Sequence, residues 1–245
     1  MTILLEVCVD SPAGLAAAVE GGADRIELCA ALDTGGLTPS SGLMALAARV
    51  PVPVYAMIRP RAGDFVFARD EEAAMVVDIE AALNAGLAGV VIGANRGDGS
   101  LDAALLSRLK AISGNAGMTL HRAFDLVVDM EHALEQAIDL GFERILTSGG
   151  QRTAIDGKDM VARLNKRSAG RISIMPGSGL RPGNVEEMLQ FDVGEIHASC
   201  RSALNANPDD RATVFGFQPK TRFETDANIV KQMRATLDNW SGDKK

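Results

Sequence analysis

A short apolar strand, a turn rich in glycine, proline or aspartate, and an amphipathic helix recur along this chain to about residue 200. Strands that alternate with helices pair in parallel, because each helix carries the chain back to the start of the next strand. Eight such units over about 200 residues match the size of a (β/α)8 TIM barrel, which is an α/β fold. The candidate strands are residues 4–9, 25–29, 54–58, 89–92, 118–121, 144–147, 171–175 and 195–198.

The candidate helices support one barrel domain rather than two smaller domains. Three of them stop at a glycine just before the next strand, as expected of the short turns at the bottom of a barrel. An open doubly wound sheet would normally carry a glycine-rich dinucleotide fingerprint in its first βα turn, and residues 10–14 lack it. We predict a single-domain barrel over residues 1–204, then a polar segment and a closing helix over residues 205–245. The candidate helices are residues 13–20, 41–48, 70–85, 103–112, 130–140, 154–167 and 182–189.

Composition excludes several classes of partner. A net charge of -7 without Lys/Arg clusters argues against nucleic acid, because phosphate neutralisation needs a basic patch. No apolar run could cross a bilayer and no signal peptide is apparent, so we expect no membrane partner. Three cysteines are too few for a disulfide framework, which favours the cytoplasm. A homodimer is possible through residues 35–40 or 205–225.

The first two strands repeat a glutamate and a cysteine two residues apart: Glu6 with Cys8, and Glu27 with Cys29. Alternation along a strand puts each pair on one face. We expect the two glutamates side by side and the two thiols one layer above them. Arg59, at the end of the third strand, is the expected cation between the carboxylates. The layer is then either a site or, alternatively, a buried ion-pair cluster with Arg59 or Arg25 that only stabilises the barrel, with inert thiols.

The active face of a TIM barrel lies at the carboxyl ends of its strands, where polar residues of this chain gather. His121 and His197 end the fifth and eighth strands and are candidate acids, bases or ligands. With Glu6, Glu27 and Arg59 they form the predicted catalytic set. The glycine-rich loop after strand seven leads into a helix and could hold phosphate. The predicted ligand-binding residues are Arg61, Asp64, Arg122, Asp125, Thr147, Ser148, Gly149, Gly177, Gly179 and Ser199.

Seven motifs, in order, resemble the CutC copper homeostasis family between about residue 3 and residue 202. The resemblance implies a cytoplasmic (β/α)8 barrel associated with copper handling. It also implies that Cys8 and Cys29 match the cysteine pair proposed to bind copper in that family. Ala62 and Ser178 stand where glycine is usual. The motifs are residues 6–10, 21–29, 35–40, 57–65, 121–125, 144–149 and 175–179.

Two functions follow from these residues. The first is a copper homeostasis protein that binds Cu(I) through Cys8 and Cys29 at the barrel mouth, because thiolates are soft ligands that suit Cu(I). The alternative is a TIM-barrel isomerase, lyase or hydrolase acting on a small anionic or phosphorylated metabolite, with the carboxylates and imidazoles as acid and base. No lysine ends a strand, which argues against Schiff-base chemistry. A non-catalytic scaffold would instead have apolar residues at the mouth.

Overall fold

The computed structural model describes residues 2–205, 207 and 209–240. Eight parallel strands form one sheet in the order β7-β6-β5-β4-β3-β2-β1-β8, and β7 packs beside β8 so that the sheet curls into a nearly closed barrel. The predicted TIM barrel is therefore confirmed. The strands are β1 (Leu4–Val9), β2 (Arg25–Leu28), β3 (Val54–Met57), β4 (Gly89–Ile92), β5 (Gly117–Leu120), β6 (Arg144–Thr147), β7 (Ser173–Pro176) and β8 (Glu195–Ala198).

The helices alternate with these strands, and local capping fixes where they begin. The Ser11 side chain, for example, accepts a hydrogen bond from the Gly14 N–H at 3.0 Å, and Pro12 is the first helical residue. Two helices begin later than predicted, because residues 154–157 and 182–185 form turns before the helices that start at Lys158 and Glu186. The helices are α1 (Pro12–Gly21), α2 (Ser41–Ala47), α3 (Arg69–Asn84), α4 (Ala103–Ser113), α5 (Met130–Asp139), α6 (Lys158–Ser168), α7 (Glu186–Leu189), α8 (Arg211–Val214) and α9 (Ala227–Asp238).

The C-terminal segment contains an element that the sequence did not predict. Strand β9 (Arg201–Asn205) pairs antiparallel with β10 (Thr221–Thr225), and α8 lies between them. The predicted closing helix is α9, which packs on α1. The contact is close: a Cβ added to Gly21 would lie 2.3 Å from the Val230 Cβ. Arg234 of α9 also bonds Asp24 at 2.6 Å, which ties α9 to the turn before β2.

The apolar core lies outside the strands, between the sheet and the helices. Side chains such as Leu5, Val7 and Ile26 point outward from β1 and β2 and are fully buried there. The barrel interior holds a small apolar cluster of Cys29, Tyr55, Met57 and Val91 and several buried polar groups. No helix in the described part of the chain combines the length and the apolarity that a bilayer crossing needs. The buried polar groups inside the barrel include Glu6, Arg25, Thr119, Arg144 and Glu195.

Candidate functional site

The register of the first two strands differs from the prediction. Glu6 is the partner of Arg25, and Cys8 is the partner of Glu27. The two glutamates are therefore not side by side, and Cys8 rather than Glu6 stands next to Glu27. The strands of a closed barrel are staggered along one another, so equal motifs on two neighbours need not face each other.

Arg25, not Arg59, neutralises the buried glutamate, so the expected role of Arg59 is wrong. The Arg25 guanidinium donates to both Glu6 and Glu195 from within the barrel. Arg144 also donates to Glu195, with 3.1 Å between Nε and Oε2. These groups form a paired ionic layer beneath the mouth of the barrel. Arg59 instead lies in the wall of the mouth.

Glu6 and His197 form a buried hydrogen-bonded pair. The His197 Nδ1 lies 2.8 Å from Glu6 Oε1, so a hydrogen on Nδ1 is donated to the carboxylate and Nε2 faces away from it. Burial alone would raise the pKa of Glu6, but the Arg25 charge and the His197 hydrogen bond outweigh burial and lower this pKa to about 2. Glu6 is consequently ionised and fixes the orientation of the imidazole.

Cys8, Glu27 and His197 form one compact cluster at the base of the mouth. Each offers a ligand atom, and these atoms all lie within 4.8 Å of one another. The His197 Nε2 is 3.8 Å from Glu27 Oε2, while Glu27 Oε1 is buried without a partner among the described residues. All three side chains are buried. A thiol, a carboxylate and an imidazole in this arrangement can hold a metal ion or exchange protons.

The ionisation of this cluster follows from its burial. Burial is the main cause that raises the pKa of Glu27, and the charge on Glu6 adds to it. Burial disfavours protonation of His197, but the Cys8 sulfur and the Glu27 carboxylate outweigh it and raise the pKa of His197 well above its usual value. His197 therefore binds a proton more readily than a free imidazole does, and a cation bound at its Nε2 would have to displace that proton.

Cys29 lies beside this cluster rather than in it. Its Sγ is 3.5 Å from Glu27 Oε2, and the residue is fully buried. Burial, and then the Glu27 charge, raise the pKa of the Cys29 thiol well above its usual value. Glu27 thus stands between the two cysteines that the sequence singled out. The third cysteine, Cys200, is also free and buried.

His121 lies in the same mouth with different surroundings. Its Nδ1 accepts a hydrogen bond from the Ala123 N–H at 3.1 Å, so the ring hydrogen is on Nε2. Burial, with a contribution from the Arg59 charge, lowers the pKa of His121 to about 3. The ring is consequently neutral at physiological pH. The Phe65 ring packs on it with 4.8 Å between centroids.

One cavity of about 550 Å³ occupies the mouth of the barrel. It lies at the carboxyl ends of the strands, where TIM-barrel enzymes bind their substrates. The structure brings many of the predicted residues together on its wall, with others that the sequence did not single out, notably Thr34, Phe65 and Arg201. The predicted residues that line it are Cys8, Glu27, Arg59, His121, Arg122, Asp125, Gly179, His197 and Ser199.

The other predicted residues do not line the cavity. Glu6 and Cys29 are fully buried, Arg61 and Asp64 pair with each other at 2.9 Å, and a Cβ on Gly177 would lie 3.1 Å from the His197 Cβ. The remaining three are Thr147, the last residue of β6, and Ser148 and Gly149 in the loop that follows it.

Asp125 organises that loop. Its carboxylate accepts from Thr147 Oγ1 at 2.5 Å and from the Ser148 N–H at 3.0 Å. Arg122 Nε donates to the same carboxylate at 2.7 Å, and its Nη2 donates to Ser148 Oγ at 2.6 Å. Arg122 and Asp125 therefore face the cavity, while Thr147 and Ser148 hold them in place.

The fold and the site together define a TIM-barrel protein with a buried thiol, carboxylate and imidazole at the base of its mouth. The model of the CutC family matches residues 3–202, and the chain belongs to that family. The CutC family protein of Rhizobium meliloti (strain 1021) is 58% identical over 237 residues, which cover 96% of each chain. The CutC family protein of Caulobacter vibrioides (strain NA1000 / CB15N) is 50% identical, with 95% of this chain and 98% of the relative covered.

Solved structures agree with this assignment. The structure of CutC from Streptococcus agalactiae, described as a candidate copper homeostasis protein, superposes with a TM-score of 0.77 at 29% identity, covering 80% of this chain and 98% of that one. The thiamine phosphate pyrophosphorylase of Pyrococcus furiosus has a TM-score of 0.59 at 15% identity and 96% coverage of each chain. At that identity the second likeness concerns the barrel fold alone.

Proposed function

We propose that this protein acts in copper homeostasis by binding one Cu(I) ion at the base of the barrel mouth. The observation that carries the proposal is the cluster of Cys8, Glu27 and His197, whose ligand atoms lie within 4.8 Å of one another. Sulfur and imidazole nitrogen are ligands that suit Cu(I), whereas hard cations prefer sites made only of oxygen. The description of the Streptococcus agalactiae relative supports the same role.

The spacing of the cluster fits a single ion. Metal–ligand distances of about 2.0–2.3 Å place two ligands of one ion at most about 4.5 Å apart. Cys8 Sγ and His197 Nε2 therefore need only a small adjustment to share an ion. Glu6 holds His197 Nδ1 at 2.8 Å and so directs Nε2 toward the cluster. Carboxylate partners of this kind orient the histidine ligands of many metal sites.

Cys29 is the proposed second sulfur ligand. Its Sγ lies 3.5 Å from Glu27 Oε2, the same carboxylate oxygen that lies 3.8 Å from His197 Nε2. Copper binding would require each thiol to lose its proton, and Glu27 is the nearest acceptor for the Cys29 proton. All three cysteines of the chain are free, which fits our proposal that the protein works in the reducing cytoplasm.

Cu(I) titration of the reduced protein against a competing Cu(I) chelator tests the proposal. We expect one equivalent of copper in the wild type and binding at least about 100-fold weaker in Cys8→Ser and in Cys29→Ser. Cys200→Ser is the matched control, because Cys200 is also free and buried but lies outside the cluster. Wild-type affinity in Cys8→Ser would contradict the proposal. Wild-type affinity in Cys29→Ser alone would reduce the ligand set to Cys8, His197 and Glu27.

A further inference from the structure

Arg59 is a buried cation without an anion among the described residues. Its side chain donates only to backbone carbonyls, from Nη1 to Thr34 at 2.9 Å and Gly36 at 3.0 Å, and from Nη2 to Gly63 at 2.8 Å. Its Nε is buried and has no hydrogen-bond partner in the same part of the chain. The residue as a whole is 5% exposed. Carbonyl dipoles orient the guanidinium but do not cancel its charge.

The other two arginines that line the cavity are neutralised. Arg122 pairs with Asp125 at 2.7 Å, and Arg201 pairs with Asp33 at 2.7 Å. Arg59 forms no such ion pair with the carboxylates in the part of the chain that the structure describes. Buried charges in proteins are normally paired, since an isolated ion loses its hydration when it is buried. The wall of the cavity therefore carries one uncompensated positive charge.

His121 adds an unused donor to the same wall. Its Nδ1 is occupied by the Ala123 N–H, so Nε2 carries the hydrogen, and this atom is buried without an acceptor among residues 2–205, 207 and 209–240. The Phe65 ring packs against both groups: the Arg59 Cζ is 4.8 Å from its ring centroid, and the centroid of the His121 ring is also 4.8 Å from it. A cation and a neutral donor thus flank one aromatic side chain at the edge of a cavity of about 550 Å³.

We propose that this cavity binds a small organic anion, whose carboxylate or phosphate group is neutralised by Arg59 and accepts hydrogen bonds from Arg59 Nε and His121 Nε2. The half-buried Phe65 ring packs against both groups, so the proposal requires this ring to turn aside before the anion meets the two buried donor atoms. The cavity volume is within the range of metabolite sites, about 300–1,000 Å³. The anion site uses none of the proposed copper ligands, so it can be tested without metal.

Isothermal titration calorimetry on the full chain, reduced and freed of metal with a chelator, tests this site. The probes are inorganic phosphate, malonate as a small dicarboxylate, and glycerol as a neutral molecule of similar size. We expect saturable binding of phosphate, malonate or both, and none of glycerol. Binding of phosphate alone would assign a phosphate group to the natural ligand, and binding of malonate alone would assign a carboxylate. No saturable binding of either anion would overturn the proposal.

Substitutions of Arg59 and His121 test whether the anion binds to these two side chains. Arg59→Met should weaken binding about tenfold or more, since it removes a charge-assisted donor, and Arg49→Met, at an exposed arginine, should leave it unchanged. His121→Asn keeps an acceptor for the Ala123 N–H and removes the donor at Nε2. It should weaken binding several-fold. If Arg59→Met fails to fold because the carbonyl contacts are lost, His121→Asn and Arg59→Lys decide the matter. Wild-type affinity in both would overturn the proposal.

Discussion

Glu6 on β1 and Arg25 on β2 are register partners, and the Arg25 guanidinium donates directly to the Glu6 carboxylate inside the barrel. Glu6 is fully buried and Arg25 nearly so. Because Glu6 also holds His197 at 2.8 Å, the pair connects the ionic layer of the lower barrel to the cluster at the mouth. The stability of the barrel and the orientation of the proposed copper ligand therefore depend on the same carboxylate.

Replacing Arg25 should destabilise the fold strongly. We expect Arg25→Met to lower the free energy of unfolding by about 3–5 kcal/mol, since it leaves Glu6 buried without its cation. Arg108→Met is the control, because Arg108 pairs with Glu72 at the surface, and it should cost less than about 1 kcal/mol. Urea unfolding measures both values. Adding Glu6→Gln to Arg25→Met should recover part of the loss, and equal costs for the two arginines would contradict this account.

Glu6 should make the protein acid-sensitive. Its pKa is about 2 in the folded protein against 4.5 for an unperturbed glutamate side chain, so the folded state favours the ionised form. This contribution to stability is complete above pH 4.5 and is lost as the pH falls toward 2. In metal-free protein, Glu6→Gln should therefore flatten the fall in unfolding free energy between pH 4.5 and 2. If Glu6→Gln left the fall in unfolding free energy at acid pH unchanged, Glu6 would not be the carboxylate responsible for it.

His121 should make the stability of the protein depend on pH in a higher pH range than Glu6 does. The pKa of His121 is about 3 in the folded protein against 6.5 for the free side chain. Between these two pH values the His121 side chain is protonated in the unfolded chain but neutral in the folded protein. Stability is then unaffected above pH 6.5 and falls as the pH drops from 6.5 toward 3, by up to about 1.4 kcal/mol per unit. His121→Asn should remove this slope between about pH 6 and 5. Unfolding curves at several pH values, with His132→Asn at an exposed histidine for comparison, test it.

Gly149 should tolerate no side chain. It has a φ of 68°, and a Cβ there would lie 2.3 Å from the Gly157 carbonyl oxygen. Gly86 is the control that separates the cost of a positive φ from the cost of a steric clash. Its φ is 89°, and a Cβ there would meet no atom within 4 Å. We expect Gly86→Ala to cost about 1–2 kcal/mol from backbone conformation alone. Gly149→Ala should cost clearly more, and similar thermal or urea midpoints for the two variants would refute the backbone clash.

Most of the barrel could be predicted from the sequence, because the strand–turn–helix repeat depends on local propensities and on glycine stops. All eight predicted strands overlap observed ones, and α9 lies within residues 205–245, where a closing helix was predicted. The β9–β10 hairpin could not be predicted in this way. Residues 201–205 and 221–225 are polar and half-exposed, and they become strands only by pairing across 15 intervening residues of irregular composition.

The site was predicted less completely, since its geometry depends on strand stagger. The sequence identified Cys8, Glu27 and His197 separately but set Glu6 opposite Glu27, because the repeated motif implied equal heights on β1 and β2. The true register is two residues different. Arg59 was expected to neutralise both glutamates, but Arg25 pairs with Glu6, and Arg59 donates only to backbone carbonyls among the described residues. The contribution of Arg201 to the cavity depends on the unpredicted hairpin, and no local signal in the sequence indicates it.

The close packing of α9 on α1 affects how the chain can be divided. The CutC family match ends at residue 202, yet a Cβ on Gly21 would fall 2.3 Å from Val230, and Arg234 bonds Asp24 at 2.6 Å. Cleaving the polypeptide after the matched region would uncover one side of α1 and free the turn that leads into β2, the strand that carries Glu27. The smallest fragment expected to fold therefore extends through α9, the helix that covers α1.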